Sequence, residues 1–84
     1  MPYFVYILQS EMDESYYVGS CADLSERLRR HNEGRSLYTK AKRPWKVVYS
    51  EEFPDRSSAM RREAEIKGKK RTSFIESLVR TSRM

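Results

Sequence analysis

Residues Tyr3 to Leu8 read Tyr-Phe-Val-Tyr-Ile-Leu, with an apolar or aromatic side chain at every position. A strand sends successive side chains to opposite faces, so this segment must be covered on both sides. It predicts the middle strand of a sheet with further structure packed above and below it. With 84 residues the chain has room for one small core, and residues 1–84 are expected to form one domain.

The rest of the chain supplies the two covering layers. Glu11 to Ser15 is polar and turn-like, and Tyr16 to Ser20 reads as a strand returning beside the first. Asp23 and Glu26 have the spacing of a capping box, which predicts a helix to about Asn32 with Gly34 as its stop. A basic loop over 33–43 leads to Pro44 and a third strand, Trp45 to Tyr49, with Pro54 and Asp55 beyond it. A second helix is expected from Ser57 or Ser58 to Lys67, stopping at Gly68. A third begins at Ser73, three residues before Glu76, and carries Phe74, Ile75, Leu78 and Val79. The fold class is α+β in the order β-β-α-β-α-α, a three-stranded antiparallel sheet flanked by helices.

Charge divides the chain unevenly. Residues 1–23 carry −4 through Glu11, Asp13, Glu14 and Asp23, whereas the remainder carries +9, for a net +5. Such a basic portion fits either a polyanionic partner, most directly a nucleic acid, or a solvated surface that keeps a small protein soluble. No apolar run approaches the roughly 20 residues of a membrane span, and no secretory leader is expected. A single cysteine, Cys21, forbids an internal disulfide and points to the cytoplasm. One cysteine and one histidine cannot build a structural zinc site, so any bound metal must rest on oxygen ligands and water.

Several side chains have the chemistry of a phosphodiester-cleaving site. Glu63 shares adjoining parts of a helix face with Ala59, Met60, Ala64, Ile66 and Lys67. A carboxylate so placed needs a cation or hydrogen bonds; a divalent metal and an ion pair with Lys67 both satisfy that need. Arg27 and His31, four residues apart, project from one side of the first helix. An arginine there can neutralise phosphoryl charge and a histidine can move a proton, although both also suit a basic helix surface. Tyr6 and Tyr17 lie on the paired strands, where tyrosines commonly pack but can also relay a proton if the pKa is lowered.

Taken together, these residues resemble the GIY-YIG nuclease family. The resemblance rests on Phe4-Val5-Tyr6, on Tyr17-Val18-Gly19, on Arg27 and His31, and on Glu63 within Arg61-Arg62-Glu63-Ala64-Glu65-Ile66-Lys67. Tyr38-Thr39-Lys40 and Arg43-Pro44-Trp45 look like its small single-domain bacterial branch, which resembles the nuclease domain of structure-specific endonuclease subunits acting on branched DNA. Phe4 stands at the family's first glycine, Val5 and Val18 at its isoleucines, and Cys21 where threonine is frequent.

The resemblance implies metal-dependent DNA cleavage, on branched or flapped structures, with Mg²⁺ held by Glu63. Tyr6 would accept the proton of the attacking water with help from His31, Tyr17 would orient water or phosphate, and Arg27 would stabilise the developing charge. Lys67 would support Glu63 or touch phosphate. Lys40, Lys42 and Arg43, with Lys69, Lys70 and Arg71, would contact phosphates elsewhere on DNA, or on RNA as the alternative. So small a chain has no separate recognition domain, so a protein partner would supply specificity. The competing expectation is a non-catalytic nucleic-acid-binding module that retains the fold.

Overall fold

The first strand does lie at the centre. In the computed structural model, which describes residues 2–69 and 72–82, β1 (Tyr3–Ser10) sits between β2 (Tyr16–Cys21) and β3 (Trp45–Phe53), both antiparallel to it. Val5 and Ile7 point to one face, where Val18 joins Ala59 and Ile66 of α2 (Arg56–Lys69), with Phe74, Ile75 and Leu78 of α3 (Thr72–Ser82) packed against them. Tyr6 and Leu8 point to the other face and meet Cys21, Trp45, and Leu24 and Leu28 of α1 (Leu24–Asn32). The two-sided apolar pattern of β1 thus splits the core into two layers, one on each side of three strands.

Local chemistry sets the element ends, and several differ from the sequence expectation. Asp23 caps α1 by accepting from the Glu26 amide at 3.0 Å, as its spacing predicts. The second helix begins at Arg56, before Ser57, because Asp55 caps it by accepting from the Ser58 amide at 2.8 Å. It also runs through Gly68 to Lys69. A single glycine costs a helix only about 1 kcal/mol, less than is gained by burying Ile66 two residues earlier. The third helix starts at Thr72, which puts Ser73 inside the first turn rather than at the cap. Met60 and Ala64 are exposed, so the apolar stripe of α2 is narrower than its sequence suggests and consists of Ala59 and Ile66.

The third strand extends four residues past Tyr49, to Phe53, and carries a bulge. Ile7 pairs with Tyr49 and Leu8 with Val47, which leaves Val48 as the extra residue. Val48 and Tyr49 consequently pack on the same face, toward α2 and α3, while Val47 packs with the α1 layer.

Between α1 and β3 the basic loop is held at several points. A 3₁₀ turn covers Lys40–Lys42. The buried Ser10 hydroxyl donates to the Lys42 carbonyl at 2.6 Å, and the Glu11 amide donates to the Pro44 carbonyl at 2.9 Å. Asn32 acts as a strand partner for Trp45: its Oδ1 accepts from the Trp45 amide at 2.6 Å and its Nδ2 donates to the Trp45 carbonyl at 3.0 Å. This clamping fixes the loop against the α1 face of the sheet.

Candidate active site

Tyr6 and Gly19 face each other across β1 and β2. A Cβ on Gly19 would stand 2.5 Å from the Tyr6 hydroxyl oxygen and 2.7 Å from Cζ. The missing side chain is therefore the space in which the Tyr6 ring lies. From there its hydroxyl reaches Nε2 of His31 on α1 at 3.2 Å. His31 is itself buried, and its Nδ1 is 2.7 Å from Oγ1 of Thr39, which is 1% exposed. Tyr17 closes the group, its ring centroid 5.0 Å from His31 and 6.4 Å from Tyr6. The result is a hydrogen-bonded line, Tyr6 to His31 to Thr39, running from the sheet into the loop.

Burial and neighbouring charge decide the protonation states. Burial, followed by the Tyr17 phenol, pushes the Tyr6 hydroxyl well above the ordinary tyrosine range; Arg27 pulls the other way, and Cys21 and Glu63 push it further up. Burial therefore works against the lowered pKa that a free tyrosinate base requires, and favours a Tyr6 that keeps its proton. Burial also lowers the His31 pKa, and the positive charges of Arg27 and Arg30 lower it further. His31 is accordingly a neutral imidazole, able to receive a proton. A tyrosine that keeps its proton thus lies in hydrogen-bond contact with a neutral imidazole.

On the other side of β2, Glu63 of α2 is partly buried, with its side chain 21% exposed. Its Oε1 accepts from the Ser20 hydroxyl and its Oε2 from Lys67 Nζ, both at 2.6 Å. Lys67 also lines a cleft of about 300 Å³ with Tyr17, which brings the Glu63–Lys67 pair to the edge of the tyrosine cluster. Arg27 and Glu63 both lie within electrostatic reach of the Tyr6 hydroxyl, with opposite effects. Of the five expected residues, Tyr6, Tyr17 and His31 meet directly, Arg27 lines a cavity with His31, and Glu63 is bonded to Ser20 of β2.

No cluster of three or more His, Cys, Asp or Glu side chains occurs among the described residues. A metal ion at this site would have Glu63 as its protein carboxylate. Each Glu63 oxygen uses one of two lone pairs on Ser20 or Lys67, so both keep a free acceptor position. A hard cation that retains most of its water suits such a sparse oxygen donor set, and the residues fit it.

The other basic residues divide. Lys42 pairs with Asp13 at 3.2 Å, and the Arg43 guanidinium packs where a Gly34 side chain would be. Gly34 has φ +80°, a conformation that suits glycine, just after α1. Lys40 is exposed, and Lys69 lies over the Phe74 ring with its ammonium 5.7 Å from the centroid. Lys70 and Arg71 fall outside the described residues.

The family described as the GIY-YIG catalytic domain matches residues 2–76. The chain belongs to the GIY-YIG family. A UPF0213 protein of Streptococcus pneumoniae is 41% identical over 76 residues, covering 89% of this chain and 76% of its own. One from Staphylococcus aureus is 42% identical over 66 residues, 77% of this chain and 79% of its own. The solution NMR structure of a UPF0213 protein from Bacillus halodurans superposes with a TM-score of 0.61 at 34% identity, covering 96% of this chain and 85% of that one. The order β-β-α-β-α-α and the central position of β1 are thus a GIY-YIG architecture.

Three site residues escaped the sequence reading. Thr39 lies in a basic loop and Ser20 on a strand, and neither type stands out there. Arg30 looked like ordinary helix surface, yet with Arg27, His31, Arg35 and Ser36 it lines a cavity of about 250 Å³. One signal was available for Thr39: Trp45 Nε1 donates to its carbonyl at 2.9 Å, and a lone tryptophan beside a histidine-bearing helix must find such an acceptor.

Proposed function

We propose that this GIY-YIG domain hydrolyses phosphodiester bonds in DNA with the help of a divalent ion, Mg²⁺, held by Glu63. The observation that carries this reading is the Tyr6–His31 hydrogen bond, in which a phenol that keeps its proton meets a neutral imidazole. As the attacking water forms its bond to phosphorus, its proton passes to the Tyr6 hydroxyl oxygen while the tyrosine's own proton passes to His31 Nε2. Tyr6 never becomes a free tyrosinate, so its raised pKa is compatible with the step. Thr39, accepting from Nδ1–H, would hold the tautomer that leaves Nε2 free to receive. Arg27 stabilises the charge that gathers on the phosphoryl oxygens as the bond to the leaving oxygen breaks. Tyr17 orients the water or phosphate, and Lys67 steadies Glu63. The ion, when bound, supplies Lewis-acid polarisation of the phosphate.

Branched or flapped DNA is the substrate we favour, in the cytoplasm and with a protein partner contributing specificity. Lys40, Lys42, Arg43, Lys67 and Lys69 are assigned to phosphate contacts. The Glu63 contacts with Ser20 and Lys67 favour a second reading, because a carboxylate already neutralised by lysine also suits a non-catalytic binding module. Labelled linear, flapped and Holliday-type DNAs, incubated with Mg²⁺, Mn²⁺ or EDTA, separate the two. Cleavage that needs the metal is expected, with Arg27→Ala slower by about a hundredfold, the effect of losing roughly 3 kcal/mol of transition-state stabilisation. Binding without cleavage of any of these DNAs would favour the binding module.

A further inference from the structure

The Ser36–Lys40 turn presents apolar side chains where a turn tip is ordinarily polar. Leu37 is 90% exposed and Tyr38 88%. The turn is not loose. The Thr39 and Lys40 amides both donate to the Ser36 carbonyl, the Thr39 side chain is tied to His31, and its carbonyl accepts from Trp45. A firmly based turn thus holds a leucine and a tyrosine out in solvent.

Two cavities adjoin on this turn. Arg27, Arg30, Arg35 and Ser36 line the one beside His31, of about 250 Å³. Leu37 lines the next, of about 510 Å³, with Met12, Lys40, Ala41 and Arg43. Ser36 and Leu37 are consecutive, so the two are continuous along the chain. Neither is lined by a carboxylate. Arg35 pairs with Glu33 at 3.1 Å, whereas Arg30 has no ion pair among the described residues. Arg27 and Arg30 are neighbours on α1, about 5–6 Å apart at Cβ, so they can meet successive phosphates of one strand. Guanidinium groups suit phosphate geometry, and an exposed phenol ring is a platform for a nucleobase.

We propose that this turn is a nucleotide clamp: Arg30, Arg35 and Ser36 hold the backbone phosphate next to the one attacked, and an unpaired base of the same strand stacks on Tyr38. The clamp rests on the nuclease reading above and extends it, because an aromatic platform selects DNA whose bases are free near the cleaved bond, as in a flap. A protein partner is the weaker occupant, since both cavities beside the turn are lined by cations and by no carboxylate.

Fluorescence anisotropy in EDTA, where no divalent ion is available for cleavage, tests this with a labelled flapped duplex and with the flap strand alone. Tyr38→Ala is expected to weaken binding by roughly five- to a hundredfold without changing the slope of affinity against salt, because stacking releases no counterions. Tyr38→Phe, which keeps the ring, should bind within about twofold of the parent. Arg30→Ala should lower the salt slope by about one. Thermal unfolding of each variant confirms that the fold is kept. Undiminished affinity in Tyr38→Ala overturns the clamp, as does an equal loss in Tyr38→Phe, which would mean a hydroxyl hydrogen bond rather than a stack. If Tyr38→Ala leaves DNA affinity intact but abolishes self-association in sedimentation, the patch is a contact between copies and the clamp is wrong. If the parent protein binds neither probe, the clamp is wrong, while the nuclease reading stands or falls on the cleavage assay.

Discussion

At the scale of single residues, the site depends on which nitrogen of His31 carries a proton. The proposed transfer from Tyr6 needs a bare Nε2, and Thr39 Oγ1, 2.7 Å from Nδ1, can serve as the acceptor for a proton on that other nitrogen. His31 is the one histidine in the chain, so its ¹⁵N spectrum can be read without assignment ambiguity. The expected result is a protonated Nδ1 and an unprotonated Nε2 near neutral pH. Thr39→Ser should preserve this state, and Thr39→Val should shift population to the Nε2–H form. A wild-type protein already in the Nε2–H form would remove Thr39 from the mechanism. The roles weighed for Tyr6, Tyr17, Arg27, His31 and Glu63 could be framed from residue type and order. The tautomer could not, because Thr39 meets His31 only through the fold of a loop. The raised pKa of Tyr6 was equally hidden, since it comes from burial against Tyr17 and an empty Gly19 side-chain position.

At the scale of elements, legibility follows the range of the forces involved. The central strand was legible because six consecutive apolar residues have few other solutions. The cap of α1 was legible because Asp23 and Glu26 interact locally. The Val48 bulge was not, since it arises from pairing with β1 rather than from anything in Val47-Val48-Tyr49 itself. Local propensity predicts a stop at Gly68, which tertiary packing overrides. A Cβ there would meet nothing within 4 Å, and the residue is helical. Gly68→Ala should therefore stabilise the protein by about 1 kcal/mol in urea or thermal unfolding with cleavage unchanged. Destabilisation would mean that the helix does not continue through this position.

At the scale of the whole molecule, stability is coupled to pH through the buried imidazole of His31. The folded His31 pKa lies below the ordinary 6.5 because burial and the charges of Arg27 and Arg30 oppose the cation. The unfolded chain then binds the proton more readily, so stability is complete above pH 6.5 and declines as pH falls through 6.5 toward the lower folded value. The shifted carboxylates, Asp13 and Asp55, titrate below 3.8 and do not contribute in that window. The melting temperature should therefore fall between pH 7.5 and 5.5 in the parent chain and stay nearly flat in His31→Gln. A flat parent profile would contradict the buried neutral imidazole. The central claim, that this GIY-YIG fold cuts DNA through a carboxylate-held ion, is tested most directly by comparing wild type with Glu63→Gln for Mg²⁺-dependent cleavage and for binding of the same DNA. The account predicts that cleavage collapses by a hundredfold or more on the order set by loss of metal catalysis while binding survives. Normal cleavage by Glu63→Gln would contradict it.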